Sequence, residues 1–165
     1  MKNWFALYTR PRHEYKALEQ LRESEIETFL PTITTTKQWR DRKKQVTEPL
    51  FRGYIFIYST EIERNVAVTR EAVIKTIFFD GKPAVIPDQE IESIKKMLES
   101  PEKIKVFTGI AKGVIVKIES GPFIGIEGIV DSISSDENTL SVSMQMLNRT
   151  VCVSIAGDTK IKRIN

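Results

Sequence analysis

The densest chemistry in this chain lies at Lys37-Gln38-Trp39-Arg40-Asp41-Arg42-Lys43-Lys44. Five cations, one anion and an indole in eight residues suit a phosphate backbone with one stacked base. The same string also reads as a solvated hairpin tip, because a charge run alone is weak evidence for binding. Net charge supports a basic N-terminal region: residues 1–44 carry +4, residues 45–109 carry −1 and residues 110–165 are neutral, giving +3 overall. Arg10, Arg12 and Arg70 join Trp39, Arg40, Arg42, Lys43 and Lys44 as candidate nucleic-acid contacts.

Other chemistries are poorly supplied. One His and one Cys leave no side-chain set for a structural zinc site, and a serine–histidine–acid triad would have to use His13. There is no Gly-x-x-x-x-Gly-Lys-Ser/Thr loop and no Gly-x-Gly-x-x-Gly turn. Nothing marks out a catalytic carboxylate pair. The expectation is a protein that is not an enzyme and needs no cofactor or metal. His13 reads as a helix-start residue and Cys152 as a small core hydrophobe.

The elements that must position these residues follow from patterning. The chain has 165 residues, 41% of them hydrophobic and 28% charged, which reads as soluble and globular. It has no run of 18 apolar residues. Its first residues lack the apolar core of a secretory leader, and a single cysteine fits a reducing compartment, so a cytoplasmic protein is expected.

Trp4 to Thr9 predicts a strand. Pro11 suits the first turn of a helix, with Tyr15, Leu18 and Leu21 as its inward stripe and Ala17 alongside. Glu27 to Thr36 predicts a strand interrupted at Pro31, followed by the basic segment as a loop. Tyr54 to Tyr58 predicts a strand with Tyr54, Phe56 and Tyr58 on one face and Ile55 and Ile57 on the other. Thr60 and Glu63 form a capping box for a short helix ending near Thr69. Val73 to Phe79 predicts a strand closed by an Asp80-Gly81 turn. Asp88 is expected to cap a helix with Ile91, Ile94 and Leu98 as its stripe, which Pro101 stops.

From Val114 the texture changes to short β-branched runs: Val114–Ile118, Gly128–Ile133, Leu140–Met146, Val151–Ile155 and Lys160–Ile164. The expected fold class is α+β. Residues 1–99 form an antiparallel sheet flanked by helices, residues 100–107 a linker, and residues 108–165 a small SH3-like β-barrel. A helical C-terminal region is not expected. Gly121, Pro122, Gly125 and Gly128 fall within eight residues, and an interior glycine costs a helix about 1 kcal/mol and a proline about 3.

Two motifs carry a family resemblance. Glu48-Pro49-Leu50-Phe51-Arg52-Gly53-Tyr54-Ile55-Phe56-Ile57, preceded by Trp4-Phe5-Ala6-Leu7-Tyr8-Thr9, resembles the N-terminal domain of NusG-type transcription elongation factors. Gly121-Pro122-Phe123-Ile124-Gly125-Ile126-Glu127-Gly128-Ile129-Val130 resembles the KOW motif that opens the same family's C-terminal barrel, and Asn148-Arg149 resembles that barrel's late turn. Pro11-Arg12-His13-Glu14, the basic loop and Gly81-Lys82-Pro83-Ala84-Val85-Ile86-Pro87 resemble specialised paralogues of the RfaH and UpxY type. Arg52 departs from the pattern, since many members carry proline before the glycine.

The resemblance implies a monomer that docks on the clamp helices of the largest catalytic subunit of RNA polymerase and suppresses pausing or termination at selected operons. Tyr8, Phe51, Tyr54 and Phe56, with Ile91 and Ile94, are expected to form the exposed apolar patch that receives those helices. The cations would touch upstream or non-template DNA. The KOW domain would recruit a small-subunit ribosomal protein or Rho. Two alternatives stand beside it: a general NusG acting with Rho in termination, and a ribosome-associated RNA-binding protein. The neutral charge of residues 110–165 disfavours the latter.

Overall fold

The computed structural model describes residues 1–39, 41–100, 104–108, 113–133, 139–146, 149–156 and 161–164. The chain divides into two compact units, Met1–Ile91 and Glu92–Asn165. The first contains β1 (Asn3–Thr9), α1 (Glu14–Glu23), β2 (Glu27–Phe29), β3 (Thr32–Gln38), β4 (Lys43–Pro49), β5 (Tyr54–Ser59), α2 (Glu61–Ala67), β6 (Val73–Thr76), β7 (Phe78–Phe79), β8 (Lys82–Pro83), β9 (Val85–Ile86) and the start of α3 (Asp88–Leu98). The second contains the rest of α3 and β10 (Ile104–Thr108), β11 (Val114–Ile118), β12 (Glu127–Ile133), β13 (Thr139–Met146), β14 (Arg149–Ala156) and β15 (Ile161–Arg163).

β1 is apolar at almost every position, which suits a central strand buried on both faces. It pairs antiparallel with β5, Trp4 opposite Tyr58 and Tyr8 opposite Tyr54, and β2 extends the sheet beyond β5. On its other side β6 and β9 share its length. Phe5, Leu7, Ile55 and Ile57 form one core with Ala17 and Leu21 of α1 and Ala67 of α2. Trp4, Phe29, Phe56 and Tyr58 form an aromatic layer, with Trp4 and Tyr58 ring centres 5.3 Å apart and Phe29 and Phe56 6.2 Å apart.

Several local expectations are met. The capping box is complete: Glu63 N–H donates to Thr60 Oγ1, and Thr60 N–H donates to the Glu63 carboxylate. The strand expected over Glu27–Thr36 is split around Pro31 into β2 and β3. Asp80 and Gly81 both have positive φ, as a two-residue hairpin turn requires.

Others are corrected. Helix α1 begins at Glu14, not Pro11, because Arg12 takes a left-handed φ of 63° and breaks the helical path. Glu14, Ala17 and Leu21 are buried and Leu18 packs partly buried against the same core, as expected of the two leucines, while Tyr15 is exposed. The basic segment is mostly strand: β3 runs to Gln38, β4 starts at Lys43, and Trp39 N–H donates to the Arg42 carbonyl across the tip. Asp88 is the first residue of α3 rather than its cap, and the Pro87 carbonyl accepts the Glu90 N–H. The Val73–Phe79 strand breaks at Ile77, where the chain leaves β1 for the β7–β8 hairpin. Pro101 lies outside the described residues.

The second unit is one antiparallel sheet in the order β10-β14-β13-β12-β11-β15. All five expected strands are present, and a sixth, Ile104–Thr108, pairs with β14 inside the stretch read as linker. Its zipper of partners, from Ile104 opposite Val153 to Thr108 opposite Arg149, takes those residues out of any free connection. The division between the two compact units falls at Ile91–Glu92, within α3.

In the glycine-rich motif, Gly121 and Gly125 have φ of 83° and 88°, and Gly125 N–H donates to the Ile118 carbonyl. Gly128 instead lies buried in β12 opposite Val116, so its role is close packing rather than a turn. Phe123 and Ile126 are buried, whereas Pro122 and Ile124 are exposed. Asn148 lies outside the described residues.

Candidate functional site

The best-defined site is the turn between β4 and β5. Gly53 holds a φ of 82°, and a Cβ there would stand 3.1 Å from the Tyr8 ring. Its carbonyl accepts Thr9 N–H at 2.8 Å, and its own N–H donates to Glu14 Oε1 at 2.8 Å. These bonds join α1, β1 and the turn at one residue, through the peptide groups on its two sides. Tyr8 then meets Tyr54 edge-on with ring centres 5.4 Å apart, and both rings are partly exposed. A cleft of about 590 Å³ opens beside them, walled by Tyr8, Pro11, Tyr15 and Pro49 and rimmed by Arg12 and Arg52.

The expected apolar patch is narrower than its six residues. Tyr8 and Tyr54 are accessible, but Phe51, Phe56, Ile91 and Ile94 are each 1% exposed or less. Phe56 lies between Phe29 and Phe51, and its contact with Phe51 is edge-on at 5.7 Å. An exposed surface made of all six is therefore corrected: four of them are core. Sequence reasoning missed the exposed Phe78, Phe79 and Val85. Their signal was available in the two phenylalanines directly ahead of the Asp80-Gly81 turn.

The cations fall into separate sets. Lys37 and Lys44 stand directly opposite each other on the β3–β4 ribbon, a repulsive pairing. Each has a local partner: Lys37 reaches the Glu48 carboxylate, and Lys44 lies 5.6 Å from the centre of the exposed Trp39 indole. Arg42 and Lys43 are exposed at the tip, and Arg40 lies outside the described residues. Arg10 is exposed and donates from Nε to the Glu71 carbonyl, while Lys16 pairs with the Glu71 carboxylate at 2.8 Å. Arg70 is only partly exposed, and its Nε is buried without a hydrogen-bond partner.

Glu48 ties the ribbon to the aromatic turn, since Arg52 also donates to it at 2.9 Å. Lys37 first and Arg52 second hold its carboxyl below the ordinary value of 4.5. A depressed acid contributes stability that is present above its unfolded value and lost as pH falls through its folded one. The clasp should therefore hold at neutral pH and open only in acid below pH 4.5. A carbon-detected NMR titration of Glu48 checks this; a midpoint at or above the ordinary value would contradict the clasp.

Among the described residues no cluster of His, Cys, Asp and Glu could hold a metal ion, and no helix is long and apolar enough to cross a membrane.

Comparison with known proteins gives a consistent result. The model of a family described as "Transcription termination factor nusG" matches residues 2–95. The transcription termination/antitermination protein NusG of Staphylococcus carnosus (strain TM300) is 26% identical over a 172-residue alignment, which covers 95% of this chain and 93% of that protein. The protein of the same description from Pseudomonas aeruginosa is 22% identical over 167 aligned residues, covering 93% and 94%. A solved structure described as "Domain interaction in Thermotoga maritima NusG" superposes with a TM-score of 0.61 at 23% identity, covering 100% of this chain and 98% of that one. That last likeness is one of fold.

Proposed function

The chain belongs to the NusG family of transcription factors, and on that premise we propose that it binds RNA polymerase during elongation and suppresses pausing or termination at selected operons. The observation that carries this reading is the Tyr8–Tyr54 pair, fixed on the Gly53 turn and partly open to solvent. A rigid aromatic pair beside a cleft suits an anchor for the clamp helices of the largest polymerase subunit. Phe51, Phe56, Ile91 and Ile94 are buried, so on this reading contact with the partner rests on the two tyrosines.

The factor acts as a ligand with different affinities for two polymerase states. Bridging the DNA cleft of the polymerase disfavours its open, paused state, and the shift is limited by the difference between those affinities. Cations at the ribbon tip and at Arg10 and Arg12 add salt-dependent contact with upstream or non-template DNA. The second unit, read as a KOW module, offers the exposed Gly121, Pro122 and Ile124 to a further partner, a small-subunit ribosomal protein or Rho. The relatives are named for both termination and antitermination, and a general factor that promotes termination is the second reading.

A pull-down of the tagged chain from nuclease-treated lysate tests the reading. RNA polymerase should remain bound after nuclease; recovery of ribosomal RNA-dependent material alone would favour a ribosome-associated role instead.

The DNA contacts have their own test. Reversing Arg42, Lys43 and Lys44 to Glu should reduce recruitment to DNA-containing elongation complexes and leave binding to bare polymerase unchanged. Each lost phosphate contact removes about 0.7 from the single-strand salt slope, so the slope should fall by about 2. Equal binding of the variant and the parent to elongation complexes across a salt series would exclude this path.

A further inference from the structure

Glu14 opens α1, yet its side chain turns inward and the residue is only 6% exposed. Burying a carboxylate is costly unless it meets a specific demand. Here that demand is the Gly53 N–H, which lies 2.8 Å from Glu14 Oε1 and 39 residues away in the chain. The Gly53 carbonyl is engaged as well, by Thr9 N–H at 2.8 Å. The residue is thus held from α1 on one side and from β1 on the other.

What is held matters for the aromatic pair. Gly53 sits under the Tyr8 ring, close enough that a Cβ would press on it at 3.1 Å. Tyr54, the next residue, presents the second ring, edge-on to the first. A small rotation of the Gly53 peptide would move both rings relative to each other.

The chain ahead of Glu14 is tethered in the same way. Arg10 N–H donates to the Ala72 carbonyl, and between these two ties Arg12 holds its left-handed φ of 63°. A non-glycine residue persists in that region when its surroundings fix it there.

We propose that Glu14 is a positioning residue for the polymerase face: its carboxylate fixes the Gly53 peptide and thereby the arrangement of Tyr8 and Tyr54. This rests on the polymerase reading above. A role confined to helix packing would be served as well by an apolar residue at position 14. A role as an acceptor survives Glu14→Gln, which keeps an oxygen at the same reach, and fails in Glu14→Ala.

The test compares the affinity of the full chain for purified RNA polymerase among the parent, Glu14→Ala, Glu14→Gln, Tyr54→Ala and the Glu14→Ala/Tyr54→Ala double variant. Glu14→Ala should bind about tenfold more weakly or worse, and Glu14→Gln within about threefold of the parent. The double variant should bind within about twofold of Tyr54→Ala, because both changes act through one arrangement. Parent-like binding by Glu14→Ala, equal loss in Glu14→Gln, or multiplying losses in the double variant would each overturn the proposal. Parent-like binding by Tyr54→Ala would overturn the polymerase reading and this proposal with it.

Should Glu14→Ala fail to fold, amide exchange at Gly53 decides. Protection in both the parent and Glu14→Gln supports the proposal, and rapid exchange in either overturns it.

Discussion

Replacing Tyr54 with alanine should weaken binding to RNA polymerase about thirtyfold while the protein remains folded. Aromatic anchors at an interface centre typically cost about 2 kcal/mol or more on truncation. Tyr54 is partly exposed, and its defined ring partner is Tyr8, so the folded state loses one edge-on contact worth about 0.5–1.5 kcal/mol beyond its area. Binding should therefore fall much more than stability. Titration of a labelled chain with core polymerase, beside a urea denaturation curve, separates the two effects. Unchanged affinity, or a variant that unfolds without urea, would remove Tyr54 from the polymerase face.

The reverse pattern is expected two residues later. Phe56 is fully buried between Phe29 and Phe51. Removing a buried phenylalanine leaves a cavity that its neighbours fill only in part, at a cost of about 3–5 kcal/mol. Small domains have a total stability of about 5–15 kcal/mol, so Phe56→Ala should shift the urea midpoint severely. Any loss of polymerase binding should follow the loss of fold. A Phe56→Ala protein with parent stability and weak binding would restore Phe56 to the exposed surface.

That contrast marks where the sequence was readable. Period-two alternation correctly put Tyr54 and Phe56 on one face of a strand, because it depends only on backbone geometry. Which of the two is covered depends on Phe29 and Phe51, and no local pattern reports where those rings go. The capping box at Thr60 and Glu63 was legible for the same reason as the alternation: both partners lie within four residues. The five β-branched runs of the second unit were legible because side-chain stiffness and clustered turn residues agree there.

Non-local competition explains most of the misses. Pro11 is a sound first-turn residue, yet the ties at Arg10 and Glu14 shift the helix start and leave Arg12 left-handed. Ile104–Thr108 is a short run beside Pro101, and only its partner β14 makes it a strand. The ribbon cations were visible as a cluster. That Lys37 is spent on Glu48 and Lys44 rests on Trp39 follows from cross-strand register, which the sequence did not reveal.

The central claim is that this chain changes the behaviour of elongating polymerase. Single-round transcription with RNA polymerase from the same organism tests it most directly, on a template carrying a pause site and a terminator from one of its own operons. Adding the chain should shorten the pause and increase read-through, and the Tyr54→Ala variant should need a much higher concentration for the same effect. Pause lifetime and read-through that stay unchanged at saturating chain, or that change equally with both proteins, would contradict the account.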